Sequence, residues 1–152
     1  MKILFLDVDG VLINRKVLMA KHAAAKLTPD VRVFDYPDSV CVKLVNEILE
    51  KTGAKIVVSS CWRIGRTTEE LVTLFESWGI TPGAVIDRTI NNWDWVRGQE
   101  IQEWLDRHPE VESFVIVDDD SDMAHLLPRL VKTKFEPGLQ RVDADKAIAL
   151  LS

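Results

Sequence analysis

The sequence predicts an α/β fold, a Rossmann-like three-layer sandwich with a central parallel sheet. Three observations predict it. Short apolar runs of strand type alternate along the chain with segments whose apolar residues recur every three to four positions. Such alternation builds right-handed β-α-β crossovers and therefore a parallel sheet. The three best strands each run straight into polar residues: Asp7-Val8-Asp9, Ser59-Ser60 and Asp118-Asp119-Asp120-Ser121-Asp122.

Lys2–Leu6 is a short apolar run ending in acids, as a buried strand would be. Leu12–Pro37 shows no clear period and is expected to form a flap and a long loop. From Asp38 a helix is predicted, because Cys41, Leu44, Val45, Ile48 and Leu49 share one face. Gly53 ends it. Lys55–Ser59, rich in β-branched residues, is the second strand. Thr67 and Glu70 have capping-box spacing ahead of Leu71, Leu74, Phe75 and Trp78, and Gly79 closes that helix. Ala84–Ile86 forms a short strand. Gly98–Arg107 reads as a helix with Ile101, Trp104 and Leu105 inward, ended by Pro109. Ser113–Val117 is a strong strand and Leu130–Thr133 a weaker one. Asp143 is expected to cap a last helix carrying Ala144, Ala147, Ile148 and Leu151 inward.

The 152 residues fit one domain, and 47% apolar with 28% charged residues excludes a disordered chain. No apolar run approaches the ~20 residues needed to span a bilayer. The apolar start is interrupted at once by Asp7, unlike a signal peptide, so a cytoplasmic protein is expected. Cys41 and Cys61 stand far apart with no C-x-x-C pair, which fits a reducing compartment and no structural zinc. A net charge of −5 gives no general attraction to nucleic acid, although it does not describe a local cleft.

In open parallel sheets ligands bind beyond the carboxyl ends of the strands. Asp7, Asp9, Asp118, Asp119 and Asp122 would all converge there and repel one another unless a cation sat among them. Oxygen ligands without a nearby histidine favour a hard ion such as magnesium, which completes its shell with water and substrate phosphate. A single Asp after a strand is an ordinary loop residue; the conjunction predicts a phosphate site.

The motifs then resemble those of the haloacid dehalogenase (HAD) superfamily. Leu6-Asp7-Val8-Asp9-Gly10-Val11-Leu12 matches its first motif, D-x-D-G-[VT]-L, at every position. Val57-Val58-Ser59-Ser60 resembles the second, and Ile116-Val117-Asp118-Asp119 the fourth, with Asp122 suiting its longer form. Arg97 is the best match to the third, a lone basic residue. Ser59-Ser60-Cys61-Trp62-Arg63, Arg97-Gly98-x-Glu100-Ile101 with Trp104-Leu105, and Gly138-Leu139 look like the HAD domains of Swiss Army Knife RNA repair proteins.

The resemblance implies roles. Asp7 would attack phosphorus and carry an aspartyl phosphate, while Asp9 would act as general acid and then base. Mg2+ would bind the Asp7 carboxylate, the Asp9 backbone carbonyl and an acid from Asp118–Asp119. Ser59 would hydrogen-bond a phosphate oxygen, Arg97 would stabilise the phosphoryl charge, and Gly10 would let the chain turn beneath the phosphate. Three choices stay open: Ser59 or Ser60 at the phosphate, Asp119 or Asp122 beside Asp118, and Arg97 or Arg63 as the clamp. Arg63 would otherwise read a second part of the substrate.

Rival motifs fail. A cysteine-phosphatase loop from Cys61 needs arginine at position 67, which is Thr67, so Cys61 is expected in the site wall. An EF-hand from Asp118 needs glycine and glutamate where Met123 and Arg129 stand. Leu12–Pro37 is too short for a helical cap domain, and two helices fill the chain between Ser59 and Asp118, so the site should be open. An open site suits a nucleic-acid phosphate end, with Arg63, Arg66, Arg88 and Arg97 near neighbouring phosphates and Trp93 or Trp95 stacking on a base. Metabolites or phosphoproteins are the alternative substrates; a metal-dependent nuclease and a non-catalytic binding module are more distant readings.

Overall fold

A computed structural model describes residues 1–152. Five strands, β1 (Lys2–Leu6), β2 (Lys55–Val58), β3 (Val85–Arg88), β4 (Ser113–Asp118) and β5 (Leu130–Lys132), form one parallel sheet in the order β3-β2-β1-β4-β5. The chain builds leftward from β1 to β3 and then crosses back to β4, so the order reverses between β1 and β4. That reversal opens a crevice at the strands' carboxyl ends. The register pairs Leu6 with Val117, which sets Asp7 beside Asp118 across it.

The strands' alternation divides the core. Leu4, Leu6, Ile56, Val58, Val115 and Val117 face one layer, made by α2 (Ser39–Thr52), α3 (Thr68–Ser77) and α5 (Arg141–Leu151). Ile3, Phe5, Val57 and Ile116 face the other, where α4 (Arg97–Asp106) contributes Ile101 and Trp104. Phe5 meets Trp104 edge to face at 5.5 Å, a geometry that adds about 1 kcal/mol to simple burial. The result is the three-layer α/β sandwich, with no cap domain.

Helix limits follow local chemistry. The Asp38 carboxylate accepts from Val40 N at the start of α2, and Gly53 leaves that helix at φ +72°. Thr67 caps α3 by accepting from Glu70 N. Three expectations are corrected. The flap contains a helix, α1 (Arg15–Leu27), capped by the Asn14 side chain accepting from Val17 N. Its sequence is alanine- and lysine-rich and only Val17 is buried, so helix propensity rather than an apolar stripe forms it. Asp143 does not cap α5. Gln140 does, and Asp143 sits one turn inside, returning its carboxylate to Gln140 N at 2.9 Å. The third strand also lies further along than expected, at Val85–Arg88.

Candidate active site

Asp7 leaves β1 with its amide donating to Val117 O, and Asp118 closes β4. Their carboxylates and that of Asp119 bring oxygen atoms within 4.8 Å of one another. Gly10 makes room for this. It sits at φ +79°, and a Cβ there would stand 2.3 Å from Asp119 Oδ2, so any side chain would push the third carboxylate out of the cluster. Thr133, just past β5, ties the two halves: its amide donates to Asp118 O at 3.0 Å and its hydroxyl to Gly10 O at 2.6 Å.

The cluster is only partly compensated by the chain's own positive charge. Burial pushes the Asp7 carboxyl up to about 6, against the Val8 amide, Arg97 and the Ser60 hydroxyl, which act to lower it. Burial and then the charge of Asp7 push Asp118 up to about 8. Three carboxylates with no histidine, two of them held above their usual range, fit a hard divalent cation; Asp7, Asp118 and Asp119 would hold it.

Arg97, at the first turn of α4, is the cation the chain itself supplies. Burial works against its charge, and Asp118 and then Asp7 more than offset that. Its Nε lies 3.6 Å from Glu100 and its Nη2 3.6 Å from Cys61 Sγ, which places Cys61 in the site wall as expected. Its Nη1 is buried and has no hydrogen-bond partner. Only two other buried side-chain polar atoms share that condition, Ser59 Oγ and Thr89 Oγ1. All three belong to the same edge: Ser59 follows β2, Thr89 follows β3 and donates its amide to Val58 O, and Ser59 donates its own to Leu6 O. Arg97 Nη1, set between the charges of Asp7 and Asp118, with Ser59 Oγ on the adjacent strand end, suits an oxygen-rich anion bound together with a cation.

Both serines stay at the site in different ways. Ser60 acts on Asp7 and accepts from Trp62 N at 3.2 Å, while Ser59 keeps a free hydroxyl. Asp119 rather than Asp122 joins Asp118. Asp122 instead serves the start of α4, its carbonyl accepting from Gly98 N at 3.0 Å and its carboxylate lying 3.4 Å from Arg97 N. Gly98 permits that contact, since a Cβ would fall 2.0 Å from Met123 O.

Arg63, expected as a substrate contact, turns its guanidinium to the protein. It is 1% exposed, and its guanidinium donates to Thr89 O, Ser60 O, Ile90 O and Glu100 Oε2. It braces the loops after β2 and β3 and also lines the recess beside Trp93, Trp95 and Arg97. Glu100, which the sequence offered only as part of a motif, completes this brace by accepting from Asn92 N at 3.0 Å.

Asp9 lies outside the carboxylate cluster as the one exposed residue of a buried turn, where Trp62 Nε1 donates to its Oδ2 at 3.1 Å. Burial raises its carboxyl and that indole opposes the shift. This contact was not legible in the sequence, which offers a tryptophan after two serines with no direction for its ring.

A family model describing the HAD domain in Swiss Army Knife RNA repair proteins matches residues 3–144. The chain belongs to this family. The match spans all five strands and every residue of the carboxylate cluster, and it supports a hydrolase of HAD type. No curated protein and no solved structure gives a match. No helix of this HAD domain is long and apolar enough to cross a membrane.

Proposed function

We propose that the chain is a magnesium-dependent phosphatase that works through an aspartyl phosphate on Asp7 and acts on phosphorylated nucleic-acid ends. The observation that carries this reading is the buried Arg97 Nη1 without a partner, set among the charges of Asp7 and Asp118. A buried guanidinium nitrogen with no protein acceptor, flanked by carboxylates, is placed to donate to a ligand oxygen, and a phosphoryl oxygen is the acceptor that matches.

An Asp7 oxygen forms a bond to phosphorus as the bond from phosphorus to the leaving oxygen breaks. Asp9 gives its proton to that oxygen. Water then attacks the phosphorus, returns a proton to Asp9, and the bond to Asp7 breaks to release inorganic phosphate. Arg97 and Ser59 hold the non-bridging oxygens throughout. A divalent ion bound by Asp7, Asp118 and Asp119 supplies positive charge against the phosphoryl group. A nuclease using two ions would call for a larger ligand set than this single trio.

Metal binding predicts a stability signature. Asp118 ionises less readily folded than unfolded, so its contribution is full at low pH and is lost as pH rises through about 8. Melting temperature of metal-free protein should therefore fall between about pH 5 and about pH 8. Magnesium should restore it and support turnover, whereas calcium, with looser coordination, should not support turnover. Asp118→Asn should flatten the pH dependence and lose the magnesium shift. An Asp118→Asn protein that melts and binds magnesium like wild type contradicts the site.

The substrate class rests on access and on the family. Trp93 is 82% exposed, and Trp93 and Trp95 line a recess of about 130 Å³ with Cys61, Ile64, Arg97 and Asp122. An indole presented beside the phosphate clamp suits a nucleobase, whose stacking contributes about 1–3 kcal/mol. A 3′-phosphorylated oligonucleotide should give a higher kcat/KM than an aryl phosphate, with the advantage shrinking as salt rises. Trp93→Ala should lower only the oligonucleotide rate, by about tenfold. Inert oligonucleotides alongside rapid turnover of a sugar phosphate or a phosphopeptide would end the nucleic-acid reading and leave the phosphatase.

A further inference from the structure

Asp9 has a problem of position. It stands beyond β1 with its side chain exposed at the head of an otherwise buried turn, while the nucleophile Asp7 is anchored in the sheet. A free aspartate on such a turn would sample several rotamers and both faces of the carboxylate. Yet proton transfer needs one oxygen aimed at the leaving group.

One contact addresses this. Trp62 Nε1 donates to Asp9 Oδ2 at 3.1 Å. An indole nitrogen only donates, so Oδ2 is held as the acceptor and Oδ1 is left to carry the transferred proton. The indole is fixed in turn. It meets Trp78 edge to face at 5.2 Å, the Arg66 guanidinium lies 5.2 Å over its ring, and Arg66 Nη1 donates to Trp62 O at 2.8 Å. Its backbone amide donates to Ser60 Oγ, in the turn that follows β2 next to β1. The turn bearing Trp62 is thus held from its own strand end and reaches the acid with its ring.

We propose that Trp62 is a positioning residue that holds the Asp9 carboxyl in register with Asp7 for proton transfer to the leaving oxygen. The proposal rests on the acid role given to Asp9 above. It distinguishes Trp62 from an ordinary packed indole, because its effect must depend on how much the leaving group needs a proton.

The test compares two substrates. An alkyl phosphate leaves as a strongly basic alkoxide and needs protonation; p-nitrophenyl phosphate leaves as a stable phenolate and scarcely does. Trp62→Phe keeps a ring against Trp78 and Arg66 but deletes the N–H. It should lower kcat/KM, which ends at loss of the leaving group and excludes the later hydrolysis that Asp9 also serves, by about ten- to a hundredfold for the alkyl phosphate and by no more than about threefold for p-nitrophenyl phosphate. In the Asp9→Asn background the same substitution should cause no further loss. Trp62→His, which retains a ring donor, should recover part of the alkyl phosphate rate, and it serves as the test if the phenylalanine variant does not fold. Equal losses for both substrates, no loss for either, or additive losses with Asp9→Asn would each overturn the proposal. Asp9→Asn separates the two levels. If it shows no dependence on the leaving group, the acid assignment falls and this proposal with it; if it does and Trp62→Phe does not, only the positioning role falls.

Discussion

Asp7→Asn is expected to reduce kcat by at least about a thousandfold on every phosphomonoester substrate, because an amide cannot serve as the nucleophile that the two-step route requires. The protein should fold unchanged. The amide has nearly the shape of the carboxylate, and the carboxylate is not a stabilising charge here: burial already raises its pKa. Removing it also relieves Asp118, whose ionisation Asp7 opposes. The variant should therefore melt no lower than wild type without metal and gain less from magnesium. Activity within a few-fold of wild type would contradict the covalent route. A lower melting temperature in metal-free protein would contradict the electrostatic description.

The largest loss of stability should come from Glu100→Ala, at about 3–5 kcal/mol. Glu100 is 4% exposed and accepts from Arg63 Nη2 at 2.7 Å and from Asn92 N at 3.0 Å. Without it, the Arg63 charge would be buried with Arg97 and Arg88 as the charges that oppose its ionisation. A domain of this kind has about 5–15 kcal/mol in all, so the urea midpoint should fall by about a fifth or more. Removing both ends with apolar side chains, Arg63→Met with Glu100→Leu, should recover much of the midpoint, since an uncompensated buried charge causes most of the penalty. An unchanged midpoint for Glu100→Ala would mean that the brace beneath the site is not under load.

The elements legible in the sequence are those whose burial leaves a period. The strands of the sheet, the apolar faces of α2 and α3, and the Asp38 and Thr67 caps follow from alternation, helical spacing and side-chain oxygens. α1 was not legible because its alanines and lysines form a helix that buries almost nothing. At the site, backbone position was readable and side-chain direction was not. Asp7 and Asp118 follow from strand ends, but Asp119 and Asp122 are distinguished only by Gly10 and by the start of α4. Arg63 and Arg97 both flank the acids in sequence. Arg63 belongs to the short 3-10 turn after β2 that directs it inward to Glu100, whereas Arg97 keeps a nitrogen free. The Trp62–Asp9 contact joins two loops across the sheet edge, and no local pattern encodes it.

The covalent route through Asp7 is the central claim, and an acyl phosphate is chemically distinctive. Borohydride reduces it, converting the aspartate that carried it to homoserine, while free carboxylates are left alone. Protein quenched during steady-state turnover with magnesium and a phosphorylated oligonucleotide or p-nitrophenyl phosphate, then reduced and analysed by peptide mass spectrometry, should carry homoserine at position 7. The signal should require both substrate and metal and be absent in Asp7→Asn. Sustained turnover with position 7 unmodified, or with the modification at another aspartate, would contradict the account.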